Sequence, residues 1–132
     1  MPIAAVGDAA SAERAVTAAD IDAYADLTGD HNPIHLDEAY AGETTFGGRI
    51  AHGMFSAGVV SAALATLPGD IIYLSQDLSF ENPVRPGATV RAEVEVVEHV
   101  GGDRVRVETV AFVDDERVVS GEAVVLSVPH GE

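Results

Sequence analysis

The chain has no cysteine, no lysine and no tryptophan in its 132 residues. Without cysteine, disulfides and thiolate zinc sites are excluded. Without lysine, the cations are seven arginines against 22 aspartates and glutamates, a formal charge of -15 with histidine neutral. Nucleic-acid binding needs cations to neutralise phosphates, so this balance argues against nucleic acid as a partner, and against anionic membrane surfaces for the same reason. No basic segment followed by an apolar run opens the sequence, where Gly7 and Asp8 come early. A secretory signal is therefore not expected, and a cytoplasmic setting is. One long stretch without formal charge, 50–67, nears the length of a membrane span. Its alanine, serine, threonine and glycine make it too weakly apolar for that, and it reads as a helix buried inside protein.

What remains is an ordinary globular composition, with 47% apolar and 22% charged residues. One domain over 1–132 is expected, of a size that buries roughly two thirds of the surface its unfolded chain exposes. A first helix is signalled over 17–28: Thr17 can cap it, Asp20 closes the capping box and Gly29 stops it. The run Asp30-His31-Asn32-Pro33-Ile34-His35-Leu36-Asp37 reads as a loop, because Pro33 pushes Asn32 out of helical space. Asp37 can cap a short helix through Tyr40, and Gly47-Gly48 breaks the chain before the buried helix, expected from Ala51 to Leu67. From Ile71 the period changes to two. Ile72, Leu74, Leu78 and Phe80 alternate with polar neighbours, and so do Val90, Ala92, Val94 and Val96. Turns at Gly101-Gly102-Asp103 and Asp114-Asp115-Glu116 join the strands that follow, over 104–113 and 118–128. An antiparallel sheet of this kind must cover its apolar face, and the only helix apolar enough is the one near 51–67. The expected class is α+β, a curved antiparallel sheet wrapped round one long helix.

Two constellations could carry chemistry. Asp30 and His35 lie five apart on a loop bent by Pro33, so a carboxylate and an imidazole can converge on one small molecule as an acid/base pair. The residues alone also fit Asp30 as a turn former and His35 as a solvated surface group. Arg49-Ile50-Ala51-His52-Gly53-Met54 falls where loop becomes buried helix. A helix N-terminus offers free N–H groups suited to an oxyanion, and Gly53 lets a ligand carbonyl come close, though glycine there equally suits tight packing of helix on sheet. Ser61 on that helix fits a core hydroxyl bonded to its own backbone. His31, His35, Asp37 and His52 could in principle ligate a metal. Pro33 breaks the helical phase that His31 and His35 would need, so no metal site is expected.

Together these motifs resemble the MaoC-like, (R)-specific enoyl-CoA hydratases of the hot-dog fold. The run Leu27 to Asp37 is similar to that family's hydratase motif, with Asp, Asn-Pro and His in register. Ile50-Ala51-His52-Gly53-Met54 resembles its second block, while Tyr73 to Phe80 and Ser120 to Val125 look like its later strands. The resemblance implies reversible hydration of a trans-2-enoyl-CoA to the (R)-3-hydroxyacyl-CoA, linked to polyhydroxyalkanoate precursors or fatty-acid metabolism. It implies Asp30 as the base that activates water, His35 as the group that orients it and delivers the proton, and Gly53 N–H as holder of the thioester oxygen. Asn32 would fix the loop, and Ser61 and His52 would lie near the substrate. No cofactor is implied, since coenzyme A belongs to the substrate, and the expected assembly is a homodimer. One departure is His31, where close relatives often carry an aromatic residue. A hot-dog thioesterase and a non-catalytic acyl-CoA-binding subunit are the competing readings.

Replacement of lysine by arginine follows from a GC-rich genome, but that does not raise carboxylates to this level. We read the excess as that of a protein from a salt-loving cell: in molar salt the Debye length is about 3 Å, which screens repulsion among carboxylates while their hydration keeps the protein soluble. The melting temperature is expected to rise strongly between dilute and molar KCl; a flat response contradicts the reading.

Overall fold

A computed structural model describes residues 1–130, so the last two residues of the expected domain lie outside the described ones. The elements run β1 (Ala9–Ala15), α1 (Ala18–Thr28), α2 (Pro33–Leu36), α3 (Glu38–Gly42), α4 (Gly53–Leu64), β2 (Asp70–Gln76), β3 (Ser79–Phe80), β4 (Thr89–Gly101), β5 (Arg104–Val113) and β6 (Glu116–Val128). The sheet is antiparallel in the order β1-β4-β5-β6-β2, with β3 also on β6.

The local signals act as expected at α1. Thr17 Oγ1 accepts from Asp20 N–H at 3.0 Å, and the Asp20 carboxylate accepts from Thr17 N–H at 3.3 Å. A cap of this kind contributes about 1 kcal/mol. Arg14 donates to the same carboxylate at 2.9 Å and, with the Thr17 amide, holds Asp20 below the usual carboxylate range. Gly29 closes the helix in the left-handed region, φ 83°, where a Cβ would be strained. Asp37 caps α3 by accepting from Tyr40 N–H at 3.0 Å.

The period-two strands form one layer of the core. Val90, Ala92, Val94 and Val96 of β4, Val105, Val107 and Ala111 of β5, and Val119, Ala123 and Val125 of β6 are buried. They pack against Val59, Val60, Ala63 and Leu64 of α4. This is the sheet-on-helix arrangement expected from the sequence.

One strand lies where the sequence offered no signal, and three local expectations are corrected. β1 joins the sheet beside β4, with Ala12 opposite Ala92. Its sequence Ala-Ala-Ser-Ala-Glu-Arg-Ala holds no β-branched or aromatic residue, so tertiary pairing rather than propensity makes it a strand. The segment expected as a loop contains a helical turn over Pro33–Leu36, because proline suits the first position of a helix and Asn32 caps it. The central helix is shorter than 51–67, and only one face is covered: Met54, Gly58 and Ala62 remain exposed. Finally, Ile72, Leu74 and Phe80 do not point into the core but are 48%, 46% and 55% exposed. β2 is an edge strand with a register shift between Tyr73 and Ser75, which breaks the alternation the sequence suggests.

Candidate active site

The sharp turn at Gly29 is followed by a chain of local hydrogen bonds. Thr28 Oγ1 donates to Tyr24 O at 2.8 Å and accepts from Asp30 N–H at 3.2 Å, and Asp30 Oδ1 accepts from Asn32 N–H at 3.3 Å. Asn32 Oδ1 then accepts from Ile34 N–H at 3.3 Å and so caps α2. Its Pro33 neighbour starts α2, which carries His35 half-buried toward the segment before α4.

Two backbone carbonyls set the imidazoles. His35 Nδ1 is 2.8 Å from Ile50 O, and His52 Nε2 is 2.9 Å from Asp30 O. A carbonyl only accepts, so each of these ring nitrogens carries a proton. His35 thereby presents Nε2 to the site. The two rings stack with centroids 3.9 Å apart and planes 30° from parallel, and Tyr24 packs on His52 at 4.6 Å. Arg49, 12% exposed, clamps the arrangement by donating to His35 O at 2.6 Å and to Asp22 of α1 at 2.8 Å. A carboxylate oxygen of Asp30 and one ring nitrogen from each histidine lie within 4.8 Å of one another.

His52 is 2% exposed; burial pushes its pKa down, with the nearby His35 ring adding to the fall and the Asp30 carbonyl and carboxylate opposing it. With Nε2–H turned to Asp30 O the ring is neutral, and Nδ1 is buried with no hydrogen-bond partner among the described residues. Tyr24 is raised by burial first and by the Asp30 carboxylate second, so its hydroxyl keeps its proton.

Beside this pair lies a cavity of about 510 Å³ lined by His35, His52, Gly53, Met54, Phe80 and Val119, among others. That is the size of a small-ligand site. Gly53 opens α4, and its N–H belongs to the amides that a helix start leaves without a carbonyl one turn back. His52 occupies the N-cap position yet makes no side-chain cap. A Cβ on Gly53 would come within 2.7 Å of the Phe80 ring, so the glycine admits close packing of that ring over the helix start.

Among the expected site residues, Asp30, His35 and His52 meet, and His35, His52 and Gly53 line the cavity, while Asp30 lies outside its lining and is exposed in the single chain. Ser61 does not join them. It lines a second cavity, about 540 Å³, with Tyr24, Met54, Tyr73, Leu74 and Gln76. The buried hydroxyl that lines the first cavity is Ser56, which sequence reasoning missed; one helical turn before Val60, its position on the buried face was the available signal. The metal-ligand set weighed from the sequence is not assembled either. His31 turns to Asp26 and Gly29 O, and Asp37 is spent on its cap. A different trio, Asp30, His35 and His52, brings one ligand atom each within 4.8 Å of one another, and the ring nitrogens turned to carbonyls leave the other nitrogen of each histidine available.

The description "MaoC like domain" matches residues 5–117, and the chain belongs to that family. It is 46% identical over 123 residues to a 3-hydroxybutyryl-CoA dehydratase of Methylorubrum extorquens, covering 91% of this chain and 78% of that protein. It is 44% identical over 128 residues to an (R)-specific enoyl-CoA hydratase of Rhodospirillum rubrum, covering 95% and 89%. The solved structure of an (R)-hydratase from A. caviae involved in PHA biosynthesis superposes with a TM-score of 0.86 at 39% identity, covering 95% of this chain and 97% of that one. The architecture is the hot-dog fold of these neighbours.

Since Phe80 is half-exposed and free to swing, Gly53→Ala is expected to fold with a melting temperature near that of the parent, the better helix propensity of alanine, about 1 kcal/mol, offsetting the displaced contact. A crystal structure of the variant is expected to have the Phe80 ring moved off the helix start. An unmoved ring contradicts the packing described.

Proposed function

We propose that this chain is an (R)-specific enoyl-CoA hydratase, a hydro-lyase that reversibly adds water to a trans-2-enoyl-CoA to give the (R)-3-hydroxyacyl-CoA. The observation that carries the reading is the convergence of the Asp30 carboxylate and the His35 ring beside the free amides of α4. The names and identities of the relatives support the same substrate class.

In this reading the thioester oxygen sits against Gly53 N–H, where the helix N-terminus stabilises the negative charge that grows as the enolate forms. A water lies between Asp30 and His35 Nε2. Asp30 takes one proton from the water as its oxygen bonds to C3, and His35, protonated at Nε2 as well as Nδ1, places a proton on C2. The proton on Asp30 then returns to His35, so water is consumed and the protein is unchanged. The hydrogen bond from His35 Nδ1 to Ile50 O holds through both protonation states. Coenzyme A enters only as part of the substrate, and no separate cofactor is invoked.

We also read the working form as a homodimer. α4 is apolar on all sides, yet Met54, Gly58 and Ala62 are bare, as are Ile72, Leu74 and Phe80. A helix apolar all round and an apolar edge strand both call for cover, and a second copy would cover the exposed Asp30 flank. A supply of hydroxyacyl precursors for polyhydroxyalkanoate fits the likeness to the A. caviae enzyme, and we infer a cytoplasmic setting; among the described residues no helix is long and apolar enough to cross a membrane.

Purified protein is expected to bleach the conjugated-enoyl absorbance of crotonyl-CoA and yield the (R)-alcohol without releasing thiol. Asp30→Asn and His35→Gln are each expected to lower the rate by about 10²- to 10⁴-fold while leaving the melting temperature in place. Thiol release instead of enoyl loss favours a thioesterase, and binding with neither change favours a non-catalytic subunit. Near-normal hydration by either variant rejects the assigned roles.

A further inference from the structure

Resting on the hydratase reading, one buried group is left without a task in the scheme above. His52 is sealed from solvent, donates from Nε2 to the backbone carbonyl of Asp30 at 2.9 Å, and lies face to face with His35 at 3.9 Å. Nothing about these contacts reaches the reacting carbons. Yet they touch both halves of the acid/base pair, one through its main chain and the other through its ring.

We propose that His52 is the positioning residue of the site, a neutral imidazole whose Nε2–H anchors the Asp30 backbone while its face sets the plane of the His35 ring. The fold gives His52 the place of an N-cap, where aspartate, serine or asparagine would accept from the first amides of the helix. His52 makes no such bond. Its Nε2 proton is committed to Asp30 O, and its Nδ1 lone pair is buried without a partner. The residue therefore forgoes capping, leaves the opening amides of α4 to another acceptor, and directs its one N–H at the carboxylate-bearing loop. An unpartnered buried acceptor is tolerated where the surroundings fix the group for function.

Tyr24 and Arg49 complete the brace. The Tyr24 ring packs on His52 at 4.6 Å from α1. Arg49 holds the His35 carbonyl to Asp22 of the same helix. Both ends of the acid/base pair are thus referred to α1, and the His52 side chain contacts both Asp30 and His35. Being neutral, it can lie against His35 when that ring carries a second proton, whereas a cationic ring there would repel it.

His52→Phe keeps a flat ring in the same space and removes the donor. The variant is expected to fold, to lose about 10- to 100-fold in kcat through misplacement of Asp30, and to keep KM close to wild type. An unchanged kcat overturns the proposal, and so does a loss confined to KM, which would mean that His52 meets the substrate. Should His52→Phe fail to fold, nitrogen-15 NMR of the wild-type protein decides. The expected signature is a neutral His52 ring protonated at Nε2, with scalar coupling across the hydrogen bond to the Asp30 carbonyl; an Nδ1-protonated ring overturns the assignment. Absence of hydration by the wild-type protein would instead remove the hydratase reading, and the NMR signature is independent of that result.

Discussion

Two hydrogen bonds from imidazole to backbone carbonyl govern the site: His35 to Ile50 and His52 to Asp30. Each fixes which ring nitrogen carries a proton, and together they cross-link the loop after α1 to the strand-like segment before α4. The consequence is geometric before it is chemical. A carboxylate and an imidazole that lie on a proline-bent turn are held next to the free amides of a helix start, with a cavity of about 510 Å³ beside them. Loops seldom hold catalytic groups to a fraction of an ångström unaided; here Arg49, the Asn32 cap and the stacked rings brace the loop.

Much of this was legible in the sequence, for identifiable reasons. The capping box at Thr17 and Asp20, the stop at Gly29 and the cap at Asp37 are local signals with local causes, and each formed as read. The alternation over 90–96 gave the inward face of β4 because that strand is central and paired on both sides. Asp30, His35 and Gly53 were legible because a turn and a helix start bring them together over short distances in the chain. What was not legible depends on tertiary context. β1 is a strand only because β4 offers it an edge. Ile72 and Leu74 alternate like core residues but lie exposed on the edge strand β2, and Phe80, on β3, packs over the start of α4 rather than into the core. The family resemblance implies Ser61 near the substrate; the helix directs it to the Tyr24 cavity and leaves Ser56 at the first one. No pattern in the sequence announces that His52 would bond to Asp30 O across 22 positions.

The apolar and acidic surfaces make opposite demands on the molecule. Bare residues on α4 and β2 gain by leaving water, at roughly 25 cal/mol per Å², while a formal charge of -15 opposes bringing two copies together. In the proposed dimer, salt would ease the conflict by screening charge repulsion beyond a Debye length. The same screening bears on the substrate. Acyl-CoA carries phosphates, and of the seven arginines Arg14, Arg49, Arg91, Arg106 and Arg117 already pair with carboxylates among the described residues. Recognition at this site therefore falls on shape, backbone amides and the acyl pocket more than on a field of positive charge.

The central claim is that one carboxylate and one imidazole on the same side of the substrate move both the oxygen and the proton. The stereochemistry of hydration in heavy water tests it most directly. Crotonyl-CoA hydrated in D₂O should yield (3R)-hydroxybutyryl-CoA with deuterium at C2 in a single configuration, on the same face as the new oxygen. Deuterium on the opposite face, or in both configurations at C2, would contradict the account.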